Sequence, residues 1–361
     1  MKSDFFSIKI VEWYQEHHRN LPWRNTQDPY KIWLSEIIMQ QTRVLQGLPY
    51  YEKFVQNYPN IKSLARAREE QILRLWQGLG YYTRARNLHA CAREIVDKHR
   101  AKFPTTFEEL VTLPGVGDYT AAAIASFAFD ERVAVLDGNV FRVLARVFGI
   151  DKDITSLEGK KHFARLANQL IPVHNPGVHN QAIMEFGALH CLPQNPKCEV
   201  CVLKSRCVAY KHNEQSELPV RAKHKKPKHR YFYYFIIRLG DKIFMNKRNG
   251  KDIWKGLYDF PLREVKRAIR ISRIHDVLNA SSGSRKGKEF GISISPEDKH
   301  ILSHQVIHAR FIVVERMGIK DLDPSLIPSN ARAYSMKEVA RLPKPVLISR
   351  YLEDWLVSPE S

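Results

Sequence analysis

Leu113-Pro114-Gly115-Val116-Gly117-Asp118-Tyr119-Thr120, followed about twenty residues on by Val135-Leu136-Asp137-Gly138-Asn139-Val140, is the stretch whose reading decides the fold. Upstream, Phe107-Glu108-Glu109-Leu110-Val111 has the apolar spacing of a short helix, which Leu113-Pro114 ends because proline disfavours α geometry in the residue before it. The two glycines permit a tight turn with positive φ and leave no side chain between the backbone N–H groups and an approaching anion. The alanine-rich run from Thr120 to Ala128 starts a second helix, whose N-terminal partial positive charge adds to those donors. The pattern predicts helix, anion-seating turn, helix; a plain αα-turn fits the same residues. Asp137 precedes Val140, Val143, Leu144 and Val147 at helical spacing, so it reads as an N-cap, as a fixed ionised carboxylate, or as both.

The 361 residues suffice for two or three domains with their own cores, without disulfides or oligomerisation, and a monomer is expected. Lys and Arg number 57 against 38 Asp and Glu, a formal charge of +19. That balance points to a polyanionic partner or a basic surface, without separating nucleic acid from acidic lipid. No segment approaches the roughly 18 apolar residues of a membrane helix, and Met1-Lys2-Ser3-Asp4 lacks a signal-peptide core, so a soluble cytoplasmic protein is expected. Of five cysteines, four crowd between 191 and 207, unlike a secreted disulfide framework. Cys191, Cys198, Cys201 and Cys207 stand at gaps of six, two and five. This leaves no residues for the two knuckles of a zinc ribbon and fits a compact 4Fe-4S cluster better, with zinc or a disulfide pair as alternatives. Cys91, alone on an apolar helix face, reads as core.

Residues 5 to about 210 read as helix after helix. Phe6, Ile10, Trp13 and Tyr14 share a face, as do Leu88, Cys91, Ala92 and Ile95 and, more loosely, Leu64, Ala67, Ile72, Leu75 and Trp76, with prolines dividing the run. The expected organisation is a helical region over 1–213, a basic linker over 214–230 with few apolar residues, and a second domain over 231–361. In the last, 231–239 and 242–248 read as a hairpin around Gly240-Asp241, 309–315 as a strand, 346–356 as a closing helix, and 279–291 as a loop.

Ser35-Glu36-Ile37-Ile38-Met39-Gln40-Gln41-Thr42-Arg43 lies in a helix whose apolar face is Trp33, Leu34, Ile37, Ile38, Val44 and Leu45. Beside that face, Glu36 is either partly buried and protonated near neutral pH, as a general acid requires, or a solvated helical glutamate.

Leu21-Pro22-Trp23-Arg24, Trp33-Leu34-Ser35-Glu36 with Gln40-Gln41-Thr42, Gly78-Leu79-Gly80-Tyr81-Tyr82, the Leu-Pro-Gly-Val-Gly turn and Leu136-Asp137-Gly138-Asn139-Val140, in that order, resemble the MutY-type adenine DNA glycosylases of the helix-hairpin-helix DNA glycosylase superfamily. The resemblance covers nearly the whole chain. It implies mainly α helix-hairpin-helix glycosylase domains with a 4Fe-4S loop, plus an α+β Nudix-like C-terminal domain. It also implies that Glu36 protonates an extruded adenine at N7 and that ionised Asp137 stabilises the sugar cation left behind. Asn139 would orient the acid network, and Arg24, Val44, Gln181 and Glu185 would surround the adenine. Tyr119 stands where endonuclease III-type enzymes carry a Schiff-base lysine, which implies a monofunctional hydrolase, with Lys160 or Lys161 as slow amines toward an abasic site.

By the same resemblance Gln41, Thr42, Leu79 and Tyr81 contact DNA around the extruded base, although Leu79-Gly80-Tyr81-Tyr82 also fits a helix C-cap with packed aromatics. Gly115 and Gly117 would seat a phosphate, as would Lys197, Lys204 and Arg206 between the cysteines. Trp254-Lys255-Gly256-Leu257-Tyr258-Asp259-Phe260-Pro261 resembles the start of the Nudix-like domain, yet Glu264–Arg270 lacks the paired glutamates that hold magnesium, so pyrophosphate hydrolysis is not expected. Leu302-Ser303-His304 aligns with the lesion-recognition loop, Ser303 and His304 facing 8-oxoguanine; a strand-end turn fits it too. The implied function is excision of adenine opposite 8-oxoguanine or guanine in duplex DNA, in base excision repair, by a nucleoid-associated protein. Its rivals are an endonuclease III-like pyrimidine glycosylase with lyase action, a non-catalytic DNA-damage-binding protein and a hydrolase of oxidised nucleotides.

Overall fold

Apolar residues recurring every three or four positions bury one stripe of each helix, and prolines and short polar caps set where the helices begin. In the computed structural model, which describes residues 3–222, 227–270, 291–315 and 327–357, this gives α1 (Ser3–His17), α2 (Pro29–Met39), α3 (Val44–Asn57) and α4 (Ile61–Arg66). There follow α5 (Glu69–Leu75), α6 (Thr83–Lys98), α7 (Phe107–Leu110), α8 (Asp118–Phe129), α9 (Gly138–Phe148), α10 (Leu157–Leu170), α11 (Pro176–Leu189) and α12 (Val208–His212). The chain divides into two compact units, one of Met1–Ala67 with Arg86–Lys223, the other of Arg68–Ala85 with His224–Ser361.

The first unit is helical. Phe6, Ile10 and Trp13 of α1 join Val140, Val143, Leu144 and Val147 of α9, Phe163 of α10 and Ile183 and Phe186 of α11 in one buried core. The alanines at 121, 122, 123 and 125 are buried, and their small size lets α8 lie between α2 and α11. Residues 214–230 differ from the linker expected of them at both ends. Leu218 is buried in the first unit, its carbonyl accepting from Arg146 Nε at 3.0 Å, and Val220 O accepts from Ile154 N at 3.1 Å. At the other end the first strand already begins at Lys228, and Arg230 is buried between Asp252 and Glu264. Residues 223–226, like 279–290 of the expected loop, lie outside the described residues. The loose face from Leu64 to Trp76 is likewise two helices: Ala67 and Arg68 are both extended, which ends α4 and starts α5 in the other unit.

The second unit is built on β1 (Lys228–Leu239), β2 (Lys242–Lys247), β3 (Tyr258–Asp259), β4 (Leu262–Val265), β5 (Gly291–Ile294), β6 (Asp298–Ile301), β7 (Gln305–Glu315) and β8 (Ala331–Ser335), with α13 (Met336–Arg341) and α14 (Val346–Val357). The expected hairpin forms, Leu239 opposite Lys242 around Gly240. What local pattern did not show is that β1 runs parallel to β7 from Lys228↔Gln305 to Ile237↔Val314, with β5 and β6 antiparallel on β7 and β4 antiparallel on β1. Both faces of β1 are buried, and this explains why Phe232–Ile237 is an unbroken apolar run rather than an alternating one. Glu264, in the segment examined for a magnesium-binding helix, sits on strand β4 paired to Arg230. No helix among the described residues is long and apolar enough to cross a membrane.

In the first unit α7 and α8 form the expected helical hairpin. Gly115 has φ +75°, and a Cβ there would lie 2.5 Å from Asn87 Cβ. Gly117 departs from expectation: its φ is −101°, it N-caps α8, and a Cβ would meet nothing within 4 Å. Its bareness faces open space in front of the first N–H groups of α8, which have no partner within the helix. Gly115→Ala should therefore lower stability by about 1–3 kcal/mol in urea denaturation, and Gly117→Ala by less than about 1 kcal/mol. Equal losses would contradict this account of the turn.

Candidate active site

Glu36 is buried because α2 is buried nearly all round: Ile32, Trp33, Leu34, Ser35, Ile37 and Ile38 are covered as well. The Tyr119 hydroxyl, from the first turn of α8, donates to Glu36 Oε2 at 2.7 Å. Next to it Thr120 Oγ1 accepts from Gln40 Nε2 at 3.1 Å, tying the end of α2 to α8. Burial pushes the Glu36 carboxyl up to about 7; the Tyr119 hydrogen bond opposes that, the charge of Asp137 adds to it, and Arg24 opposes it. Burial, then the adjacent Glu36 and Asp137, raise Tyr119 well above an ordinary phenol, so it remains a donor.

Asp137 is the N-cap of α9, as one of its two readings has it. Its Oδ1 accepts from Asn139 N and Val140 N, both at 2.8 Å, and its Oδ2 from Asn139 Nδ2 at 2.7 Å. Burial leaves its pKa raised as well, although the Val140 and Asn139 N–H groups, the Asn139 amide and the Arg142 charge each offset part of that rise. Asn139 is oriented in turn by Arg142, whose Nη2 reaches Asn139 Oδ1 at 2.9 Å and Gly187 O at 2.6 Å. Only glycine at 187 allows this approach of α11 to α9, since a Cβ would stand 2.7 Å from that of Asn139.

Both carboxyls open on one cavity of about 500 Å³, also lined by Tyr119, Asn139 and Thr42 and by all of Arg24, Val44, Gln181 and Glu185. Glu185 is 1% exposed and its oxygens are taken: Arg24 donates at 2.7 and 2.9 Å, and Arg19 at 2.5 and 2.8 Å with its backbone N at 2.9 Å. Burial alone would raise Glu185, but these hydrogen bonds overcome it and hold the carboxyl down to about 2. Glu185 thus fixes Arg24 rather than presenting an acceptor of its own. Gln181 Oε1 accepts from Tyr14 OH at 2.7 Å, which leaves the amide NH2 as a donor. Lys160 and Lys161 are exposed on α10, and neither lines the cavity.

Of the expected DNA contacts in this unit, Gln41 is exposed and left-handed at φ 55°. In the other unit Tyr81 is 46% exposed at φ 47°, but Leu79 is only 6% exposed, a packed residue rather than a projecting wedge. Ser303 and His304 are exposed on the turn between β6 and β7, where Leu302 N donates to Gln305 O at 2.9 Å.

The four cysteines are free, half-buried, and close enough for their charges to interact. Arg146 Nη1 lies 3.5 Å from Cys191 Sγ and Leu203 N 3.4 Å from Cys201 Sγ, contacts that favour thiolate but only in part offset burial, which pushes both thiols up, Cys201 to about 11. The donor set is four thiols of one short loop, ligands that a zinc ion or an iron–sulfur core accepts once they are ionised. Cys91 is buried, as expected of a core residue. Lys204 and Arg206 have local partners, Glu199 at 2.7 Å and the Phe5 ring at 4.1 Å.

Arg19, Arg142 and Arg146 escaped the sequence reading. For the last two a signal existed, since both interrupt the apolar spacing of α9 and are buried; Arg19 has no such mark.

Residues 34–169 match the model of the HhH-GPD superfamily base excision DNA repair proteins, and residues 233–354 that of the NUDIX domain. The adenine DNA glycosylase of Buchnera aphidicola subsp. Schizaphis graminum (strain Sg) is 36% identical over 344 residues, covering 94% of this chain and 96% of that one. The adenine DNA glycosylase of Mus musculus is 43% identical over 222 residues, 59% of this chain and 43% of its own. Among solved structures, a thermostable thymine-DNA glycosylase superposes with a TM-score of 0.55 at 30% identity, over 58% of this chain and 97% of its own. With its carboxyl pair, helical hairpin and two-part architecture, the chain belongs to the adenine DNA glycosylase family.

Proposed function

We propose that this protein hydrolyses the N-glycosidic bond of adenine paired with 8-oxoguanine, or with guanine, in duplex DNA and leaves an abasic site. The observation that carries the proposal is the pair Glu36 and Asp137 on one cavity, the first pushed up to about 7 so that it still carries a proton near neutral pH in a large share of molecules, and the second capped by N–H donors. An adenine must leave the stack to reach such a cavity. Glu36 gives its proton to N7, the C1′–N9 bond breaks with its electron pair going to the base, and the cationic sugar is stabilised by the Asp137 carboxylate. A water oxygen then bonds to C1′, and its proton passes to one of the two carboxylates. Tyr119 holds Glu36 in place, while Arg24 and the Gln181 amide supply donors for the ring nitrogens of a purine. A phenol cannot form an imine, and this favours simple hydrolysis over the lyase chemistry of a pyrimidine-directed rival.

Gly115, Gly117 and the start of α8 would seat a phosphate, and Gln41 and Tyr81 would occupy the opened stack. The exposed turn with Ser303 and His304 would read the base opposite. Cys191, Cys198, Cys201 and Cys207 would hold a 4Fe-4S cluster, which when bound supplies a cross-link that shapes the loop after α11. The protein would act in the cytoplasm on nucleoid DNA, as a monomer.

Duplexes with adenine opposite 8-oxoguanine should be cut only after hot alkali. Glu36→Gln and Asp137→Asn should each lower single-turnover excision by at least about a hundredfold while duplex binding persists; near-normal turnover in either would overturn the roles. The purified protein should be brown with visible charge-transfer absorption, and a colourless zinc protein would refute the cluster. Because the folded-state pKa of Glu36 lies above the ordinary 4.5, at about 7, its contribution to stability is full below about 4.5 and is lost as pH rises through 7, on the order of 3 kcal/mol. Denaturation of Glu36→Gln across that window should lack this loss.

A further inference from the structure

The loop Gly78-Leu79-Gly80-Tyr81 enters left-handed backbone three times, at Gly78 (φ 107°), Gly80 (φ 70°) and Tyr81 (φ 47°). Two of these are glycines, to which the region is open; a tyrosine stays there only when its surroundings dictate it. Leu79 and Tyr82 are buried, so the Tyr81 ring is left facing outward between them. What surrounds it is Arg84, from the first turn of α6. Its guanidinium lies 5.1 Å from the Trp76 ring and 5.6 Å from the Tyr81 ring, a flat cation between two aromatic residues. The Arg84 Nη2 donates to Leu79 O at 3.2 Å and lies 3.4 Å from Gly80 O, while Arg84 N donates to Tyr81 O at 2.8 Å. Trp76, itself fully buried, donates from Nε1 to the same Gly80 O at 3.0 Å.

We infer that Arg84 is a positioning residue for Tyr81: by stacking on the ring and holding the carbonyls of the loop, it presents the tyrosine in the conformation that enters the opened base stack. The inference rests on the proposed reading of Tyr81 as a duplex contact. Nη2 alone serves both carbonyls, but the same cation also lies against two aromatic rings, which a planar, weakly hydrated guanidinium does and a compact, strongly hydrated ammonium does not.

The test is a double-mutant cycle read by fluorescence anisotropy on a duplex carrying a tetrahydrofuran abasic analogue opposite 8-oxoguanine, a probe that needs no catalysis. Tyr81→Ala and Arg84→Ala are each expected to weaken binding about tenfold, the scale of one lost base–aromatic stack, with the double variant no weaker than Tyr81→Ala. Arg84→Lys should behave as Arg84→Ala, and it replaces it in the cycle if the alanine variant fails to show a cooperative melt. If Tyr81→Ala binds as the unmodified protein does, the duplex-contact reading falls and the inference with it. If Tyr81→Ala weakens binding but the Arg84 substitution costs the same factor in both backgrounds, Arg84 acts independently of the ring and the inference alone is overturned. Unimpaired binding by Arg84→Lys would overturn it too.

Discussion

Two carboxyl groups on one cavity cannot both carry charge without cost, and the rest of the first unit decides which gives way. The charge of Asp137 raises the Glu36 carboxyl, as like charges in one poorly polar site must. Asp137 has three N–H donors from its own cap and amide neighbour, with Arg142 behind them. Against that, Glu36 has the Tyr119 hydroxyl. The proton therefore settles on Glu36, and each carboxyl is left in the state that its proposed role needs. Asp137 is the N-cap of α9, and on the proposed function the same cap hydrogen bonds are what favour its charged form.

The same cavity holds an arginine next to the carboxyl that must stay neutral, an arrangement that would fail if Arg24 acted as a bare cation. Its charge does pull Glu36 down, but less than burial pushes it up. Glu185 explains the balance, since it accepts two hydrogen bonds from Arg24 and offsets that charge locally. One carboxylate between two arginines still leaves a net positive group, and Arg19, 36% exposed against 10% for Arg24, carries that excess toward solvent. A buried glutamate without these partners would cost several kcal/mol, so the triad is self-consistent only as a whole.

What could be read from the sequence was what depends on neighbours in sequence. The helical hairpin, the Asp137 cap and the β1–β2 hairpin are all local patterns, and all form. The failures are nonlocal. Nothing near Leu79 tells that its side chain packs inward while Tyr81 stays out, because both are apolar residues beside glycine. Arg19 meets Glu185 across more than 160 residues. The parallel pairing of β1 with β7 joins strands some seventy residues apart, and the short strands β4, β5 and β6 pair with one or other of these two. Residues 214–220 lacked apolar content enough to suggest packing, yet one leucine and two backbone contacts attach them to the helical core.

The allegiance of residues 68–85 is the least local feature and bears most on mechanism. Glu70 accepts from Lys247 Nζ at 2.8 Å and Tyr258 OH at 2.9 Å, Gln77 Nε2 donates to Ser349 Oγ at 2.7 Å, and Tyr82 OH donates to Lys344 O at 3.3 Å. These contacts make the segment part of the sheet-bearing unit although the chain enters and leaves it through helices of the other. Tyr81 is therefore carried by the body that also carries the turn with Ser303 and His304, whereas Glu36 and Asp137 belong wholly to the helical body. On the proposed function, Tyr81 and the turn that reads the opposite base belong to one unit, whereas the residues that break the bond belong to the other, together with Gln41 and the glycines of the phosphate seat. On the same reading, substitutions around Ser303 or Tyr81 act on how a duplex is held, while the proton balance between Glu36 and Asp137 is set within the helical unit, by α2, α8 and α9 and by Arg24 with its partner Glu185 on α11.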